Sequence, residues 1–593
     1  MAKPYSLRRS RKLFYKFHSH YKLAWKRLSP NDLSRVEGDL EALDKALLGR
    51  NREEASNRAK SLETYAPHLL RKHPVRRLIE FVVGLALALL AAIVIRQMWF
   101  EPMEIPSGSM RPHFQELDRL LVTKTPFGLN IPMTPKHFFF SPDRVKRTGV
   151  FVFTSEDMDI PDQDTRYLGI PSKKRLIKRV MGKPGDTLYF YGGKIYGMDA
   201  KGRDLSELRE NRWVDEVTTI PFIHFQGIPE RTGQTLLFKQ MNAPLGRLSL
   251  ASRKAEIWEG GGWVPERPSL TYGSLWGIDN YAMARLLSPQ QAARFGQKGE
   301  SYLLQLAHHP TLTGGFQTQT SHLPLTEAHL EALMRHMTTS RFLVKGGRAY
   351  PEAHPNLPLT LRVPFPSVPD GRYQFTDGTA YKVAFSGLLI PLERDHPLYS
   401  EEPAHIQRLF NLGIDFNTSL EPNRFEAPYP NRYAFYRDGD LYLLAHPIFT
   451  SEDPSLKAFI AAEEERASAS LPYHPFVDQG PPLQNGEIDR AKLKKLGLRV
   501  PEKGYLALGD NYANSGDSRV FGFVPEDNIR GAPSFIFWPA GKRWGVPFMP
   551  PNPWLTPAGI VVWGIALLIL IGWLLWSRRE SRRSHFKRLI LKN

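Results

Sequence analysis

The 593-residue chain contains no cysteine. That absence excludes disulfides, thiolate-bound zinc, iron–sulfur clusters and thiol nucleophiles, while leaving the compartment open, because a large domain needs no covalent staples. Long apolar runs are scarce too, with one at 78–100 and one at 558–576. Metal-type histidine spacing is missing: the 18 histidines are scattered, His308 and His309 are adjacent, His329 and His336 are seven apart, and no His-Glu-x-x-His occurs. No metal and no cofactor are expected. There is also no Gly-x-Ser-x-Gly elbow to announce a Ser-His-Asp hydrolase.

Acidic residues are in deficit, but only locally. The net charge is +19, yet residues 1–77 hold 19 basic and 8 acidic side chains and residues 577–593 hold 7 and 1. The 499 residues between them hold 53 and 51. The excess therefore sits in two tails, each beside an apolar run, which is the pattern of cytoplasmic flanks of membrane spans. No basic, aromatic-laced face lies in the middle, so nucleic acid is not expected as a partner.

Residues 1–30 read either as a segment lying on anionic lipid or as a disordered basic tail. From Asp32 to Ala66, Leu33, Val36, Leu40, Leu43 and Leu47 recur at helical steps and predict a small helical hairpin. Residues 78–100 then read as a transmembrane helix, with Trp99 at the interface and Arg96 able to snorkel. A cleaved signal peptide fits worse, since 77 residues precede the run and Arg96-Gln97-Met98-Trp99 is no small-residue cleavage site. Residues 558–576 form a second span, followed by Arg578, Arg579, Arg582, Arg583, Lys587 and Arg588. Both basic tails are expected in the cytoplasm, with residues 101–556 on the far side.

Between the spans the pattern is mostly strand. Leu120–Val122 and Val150–Phe153 read as buried strands, and Tyr189–Tyr196, with Gly192-Gly193 at its centre, as a hairpin. Two Asp-Gly hairpins, Tyr373–Tyr381 and Tyr433–Tyr442, resemble one another, through weak repetition or through convergence. Aromatics throughout this region predict a folded segment rather than a linker.

Three stretches carry chemistry. Ile105-Pro106-Ser107-Gly108-Ser109-Met110 can hold a hydroxyl at a tight bend. A serine needs a base, and a lysine serves only if burial depresses its pKa. Lys178 lies among Leu176, Ile177, Val180 and Met181, although Arg175 and Arg179 make a plain basic strand end an equal reading of the spacing. Gly509-Asp510-Asn511 to Asp517-Ser518-Arg519 is the third stretch.

In order, these boxes resemble the bacterial type I signal peptidases, membrane-anchored Ser/Lys proteases. Pro106–Met110 matches the nucleophile box, and Gly149–Phe153 a strand box, with Gly-Val where the family often has Gly-Asp. Ile177–Gly182 through Pro184-Gly185-Asp186 matches the lysine box. Gly509-Asp510-Asn511, Asn514-Ser515, Asp517-Ser518-Arg519, Gly522 and Val524-Pro525 match the last. The likeness covers 80–190 and 500–540. It leaves the N-terminal region, the insertion and the C-terminal span outside. It implies a mainly β, antiparallel signal-peptidase-like core, to which the patterning above adds a large folded insertion, an N-terminal helical segment and two transmembrane helices. The expected organisation is a basic helical segment at 1–77, a span at 78–100, catalytic core at 101–190, a β-rich insertion at 191–500, catalytic core again at 501–550, a span at 558–576 and a basic tail at 577–593. The insertion is expected to be a surface module on a complete core.

By the same resemblance Ser109 is the nucleophile and Lys178 the general base. Ser515 holds the lysine amine, and Ser107 helps form the oxyanion hole. Asp517 and Arg519 form a structural pair with Asp510 nearby, and Ile105 and Ile177 line pockets for small side chains. The implied substrates are exported preproteins cut after Ala-x-Ala, and the implied location is the bacterial inner membrane, with the catalytic part extracytoplasmic. Intact Ser109, Lys178 and Ser515 argue against an inert scaffold. The order of the boxes favours a general enzyme over a Ser/Lys protease devoted to one substrate.

Overall fold

Each of the first three helices begins on a side-chain cap. Ser6, Ser29 and Asn51 accept from the backbone N–H groups of Arg9, Asp32 and Glu54, satisfying donors that a helix start leaves unpaired. The helices are α1 (Leu7–Ala24), α2 (Pro30–Leu48) and α3 (Arg52–Leu69). Phe14, Phe17 and Tyr21 of α1 pack with Val36, Leu40 and Leu43 of α2 and with Ala55, Ala59 and Leu62 of α3. The first thirty residues are thus largely a helix with a buried face, neither a tail nor a lipid-bound strip. The aromatic spacing that specifies this face was obscured by the density of basic residues around it. In α2, Asp39 accepts from Arg58, Ser61 and Tyr65 of α3 at 2.9–3.0 Å.

This computed structural model describes residues 4–70, 74–156, 158, 160, 164–167, 170–173, 175–215, 230–241, 243–294, 301–308, 311–313, 319–352, 356–385, 387–413, 416–417, 429–430, 432–469, 473–511, 515–553, 555–580 and 586. Asn514 and the tail residues Arg582, Arg583, Lys587 and Arg588 lie outside them. The chain divides into one unit of residues 1–99 and 557–593 and another of residues 100–556. In the first, Pro74–Met98 and Pro557–Arg579 are helices long and apolar enough to cross a membrane. Phe100, placed in the first span by sequence, instead opens a strand.

The second unit is built on a seven-stranded antiparallel sheet. Its order is Phe100–Glu104, Arg119–Thr123, Ile529–Trp538, Val150–Thr154, Arg175–Gly182, Gly504–Leu508 and Val524–Pro525. Val150, Phe151, Val152 and Phe153 are all buried, as expected of a strand covered on both faces. The Gly192-Gly193 hairpin forms as expected, with both glycines at positive φ (61° and 68°), where a side chain would be strained.

The middle of the chain adds a five-stranded meander from Glu230 to Pro265 and two six-stranded antiparallel sheets. Numbered by their own chain order, both six-stranded sheets run 3-2-1-4-5-6. The Tyr373 and Tyr433 hairpins are strands four and five of their respective sheets. Their sequence likeness therefore coincides with equivalent places in one repeated topology.

Packing does not match a surface module on a complete core. Tyr505 and Ala507 join the apolar cluster that holds Ile105, Met110 and Phe151. Alternate residues Leu506 and Leu508 join a different cluster, with Met181, Phe190, Phe238, Ile257, Tyr281 and Phe435. The second cluster thus runs on from this strand into the middle segment. Replacing residues 200–495 by a short linker would cut that cluster open, and each large apolar side chain so exposed forfeits roughly 1.5–3 kcal/mol. The truncated protein is expected to aggregate on size exclusion in detergent; a monodisperse, cooperatively melting product would contradict the shared core.

Candidate active site

Ser109 lies in a single 3₁₀ turn, Gly108–Met110, between two extended residues. Gly108 is not left-handed, and a side chain there would have to displace an ion pair. A Cβ there would meet Glu116 Oε1 at 2.8 Å and Arg111 Nε at 3.0 Å. The Arg111–Glu116 pair is bidentate, at 2.7–3.0 Å, and lies directly over the nucleophile turn.

Lys178 comes from an inner strand of the sheet, Arg175–Gly182, opposite Phe151 in register. It is 3% exposed, and its Nζ donates to Ser109 Oγ at 2.8 Å. Ser107 Oγ lies 3.5 Å from Ser109 Oγ. Ile105 and Ile177 are buried in the same apolar cluster as Met110. A serine hydroxyl held against a buried amine, with a second hydroxyl beside it, is an arrangement suited to proton transfer from serine to lysine.

The wall behind the turn is the segment that follows strand Gly504–Leu508. Asn511 binds the turn twice, its N–H to Ser109 O (3.1 Å) and its Nδ2 to Gly108 O (3.2 Å). Asp517 and Arg519 form a bidentate pair at 2.8 Å. Asp517 also accepts from Gly509 N, and Arg519 Nη2 donates to Ser515 O. Burial would raise the Asp517 carboxyl, but the Arg519 charge and these hydrogen bonds hold it below its usual range. A Cβ on Gly509 would strike both the Ser515 hydroxyl and the Ser109 carbonyl oxygen, so these two groups converge on one point.

One placement differs from expectation. The Ser515 hydroxyl, expected to hold the lysine amine, is buried without a hydrogen-bond partner; it packs against Gly509 while the amine is directed at Ser109. Asp510, expected near the Asp517–Arg519 pair, has partners of its own. It accepts from Arg179 Nε (2.6 Å) and Nη2 (2.7 Å) and pairs with His113 Nδ1 (2.9 Å). Arg179 is fully buried and also donates to Thr148 O at 2.6 Å, and His113 stacks on Phe548 at 4.3 Å.

Sequence reading passed over Arg179 as part of a basic strand end. The alternation of a strand offered a signal, since Lys178 and Arg179 must leave it on opposite sides. His113 offered none. Arg341 was also missed. It is almost fully buried, and its Nη1 donates to Glu116 O at 3.3 Å, while Arg111 Nη1 reaches Thr339 O at 3.5 Å. The middle segment thus grips the loop that carries the serine. Arg341→Ala is expected to lower kcat of whatever reaction Ser109 performs by tenfold or more, about 1.4 kcal/mol, through loss of turn geometry, with KM little changed. An unchanged kcat would show that the grip is not needed.

Burial alone would push the Asp510 carboxyl up, but the Arg179 guanidinium and His113 bring it down to about 2. A carboxyl depressed on folding stabilises the protein fully above its unfolded pKa, roughly 3.9, and loses that contribution as pH falls through the folded value. The Asp510 contribution, on the order of 2 kcal/mol, should therefore fade only between roughly pH 4 and pH 2. Arg179→Met should cost about 3–5 kcal/mol by stranding a buried carboxylate. It should also move acid unfolding to higher pH, with partial recovery in Arg179→Met/Asp510→Asn. Thermal melts across pH check both.

Comparison with known proteins bears on the same segments. The family model described as signal peptidase, peptidase S26, matches residues 78–236 and 444–538. Signal peptidase I of Pseudomonas fluorescens is 33% identical over 125 residues, 21% of this chain and 38% of that protein. Probable signal peptidase I-1 of Synechocystis sp. is 45% identical over 67 residues, 11% of this chain and 34% of that protein. Signal peptidase IB of Staphylococcus aureus is 55% identical over 40 residues, 7% and 21% of the two chains. The chain spans well under half the length of these curated relatives.

Proposed function

We propose that the chain belongs to the signal peptidase, peptidase S26, family, whose model matches two of its segments, and that it is a membrane-bound serine endopeptidase that removes signal peptides from exported preproteins. The observation that carries this reading is the 2.8 Å contact between buried Lys178 Nζ and Ser109 Oγ. In the proposed cycle the neutral amine takes the proton of Ser109 as Oγ attacks the scissile carbonyl. The Ser109 N–H and the Ser107 hydroxyl stabilise the oxyanion. The lysine then returns its proton to the leaving amine, and water repeats the sequence on the acyl-enzyme.

Ser515 is assigned a supporting role. A buried hydroxyl without a partner costs roughly 1–3 kcal/mol, and rotation toward Lys178 during the reaction would relieve that cost. Ile105 and Ile177 are proposed to line the shallow pockets that limit the substrate to small side chains, in keeping with cleavage after Ala-x-Ala. The two basic tails favour cytoplasmic termini, with the two apolar helices spanning the inner membrane and residues 101–556 outside the cytoplasm. Within this reading, residues 191–500 are a folded insertion between two parts of the catalytic core.

The test is incubation of the detergent-solubilised protein with a preprotein. Wild type should release the signal peptide, and Ser109→Ala should not. Arginine keeps the charge at position 178 but gives up no proton at any working pH, so Lys178→Arg should be as inactive as Ser109→Ala while folding normally. Lys183→Arg should keep most activity, and Lys178→His a trace. Substantial turnover by Lys178→Arg would exclude this lysine as the base.

A further inference from the structure

Far along the chain from the nucleophile, three side chains from three different elements converge. His336 ends the helix Glu327–Arg335. Asp377 occupies the Asp-Gly turn between strands Gly371–Thr376 and Thr379–Val383. His446 opens strand His446–Phe449 of the other six-stranded sheet. His336 Nδ1 lies 3.1 Å from Asp377 Oδ1, and His446 Nε2 lies 3.5 Å from the same oxygen. The two imidazoles stack at 3.6 Å and 19°. One ligand atom from each of the three residues falls within 4.8 Å of the others.

We propose that His336, Asp377 and His446 form a binding site for a divalent zinc-class ion that ties the two six-stranded sheets together. Two neutral imidazoles and one carboxylate, with a fourth position open to water, are a common zinc donor set. Ligands bound at 2.0–2.1 Å in a tetrahedron lie about 3.3–3.4 Å apart, and the two nitrogen–oxygen separations bracket that value. The carboxylate oxygen can accept from both rings when no ion is bound. On binding, each ring carries its proton on its other nitrogen, so a lone pair faces the ion and no net proton is released. A small pivot of the rings out of their stack completes the geometry.

The backbone under each ligand is fixed by contacts of its own. Asp377 N donates to Thr338 Oγ1 (3.0 Å), and Gly378 N to Met337 O (2.9 Å). A side chain at Gly378 would collide with the Arg335 carbonyl oxygen, so this turn is docked tightly on the helix end. His446 follows two non-glycine residues in left-handed conformation, Leu444 (φ 55°) and Ala445 (φ 66°), a costly arrangement that aims its side chain. Access is open, since the Asp377 side chain is 61% exposed. No His-x-x-x-His spacing announces the site, because its members come from a helix end, a hairpin turn and a strand.

The full-length protein in detergent, stripped with a chelator, should be titrated with Co²⁺. A tetrahedral visible spectrum saturating at one equivalent and abolished by Zn²⁺ is expected, together with a rise in thermal midpoint on adding Zn²⁺. Asp377→Asn and His446→Ala should each weaken Co²⁺ binding at least tenfold and abolish the thermal shift. His68→Ala, an exposed histidine elsewhere, should change neither. The variants' unliganded melts report whether they fold. Equal Co²⁺ binding by wild type and by the folded variants, or no spectrum with metal in large excess, would overturn the site. Binding without a thermal shift would overturn its role as a tie.

Discussion

Two basic side chains stand side by side on one buried strand, and much of the unit of residues 100–556 is arranged to accommodate them. Burying an unpaired charge or an unpartnered polar group is costly, so Lys178 and Arg179 each require a dedicated partner. Arg179 finds a carboxylate, a histidine and a backbone carbonyl, and these link its strand to the Asp510 segment and to the loop at Thr148. Lys178 finds the serine hydroxyl. The Arg179 pairing fixes the strand, and with it the position of the lysine amine against Ser109.

The Ser109 turn is held from three directions. Asn511 binds its carbonyls from the wall, Arg111 and Glu116 cover Gly108, and Arg341 of the middle segment secures Glu116 from outside. Burial opposes ionisation of Glu116, but the Arg111 and Arg341 charges keep its carboxyl below the usual range. A turn of three residues has little stability of its own, so its precision is borrowed from these contacts. Residues 237–443, which the family model leaves unmatched, supply the outermost of them.

The parts of the molecule that were legible in sequence are those written in local chemistry. The apolar helices, the Gly-Gly and Asp-Gly hairpins and the box residues Ser109 and Lys178 follow from runs, turns and order. The rest depends on residues far apart in the chain. Arg179 pairs across 331 positions with Asp510, and Arg341 reaches Glu116 across 225. Nothing in the neighbourhood of either residue announces its partner. Gly108 was legible as a necessary glycine, but for the wrong reason: the crowding comes from an ion pair that only the folded loop creates. The helix at Leu7–Ala24 was hidden by its own charge, although Phe14, Phe17 and Tyr21 have ordinary helical spacing.

The two six-stranded sheets share one strand order, and one of them is nested in the other. Strands Tyr281–Leu287, Leu303–His308 and Gln319–Pro324 must wait for Tyr433–Arg437 before their sheet can be completed. The whole second sheet, from Phe342 to Pro391, lies in that interval. As the chain emerges from a ribosome or a translocation channel, the inner sheet can close on local contacts while the outer one remains a half-sheet with an open edge at Tyr281–Leu287. An unpaired edge of this kind invites strands from other chains. Assembly of this unit thus has a built-in order, inner sheet first, and a vulnerable interval whose length is set by the time needed to deliver the returning strand.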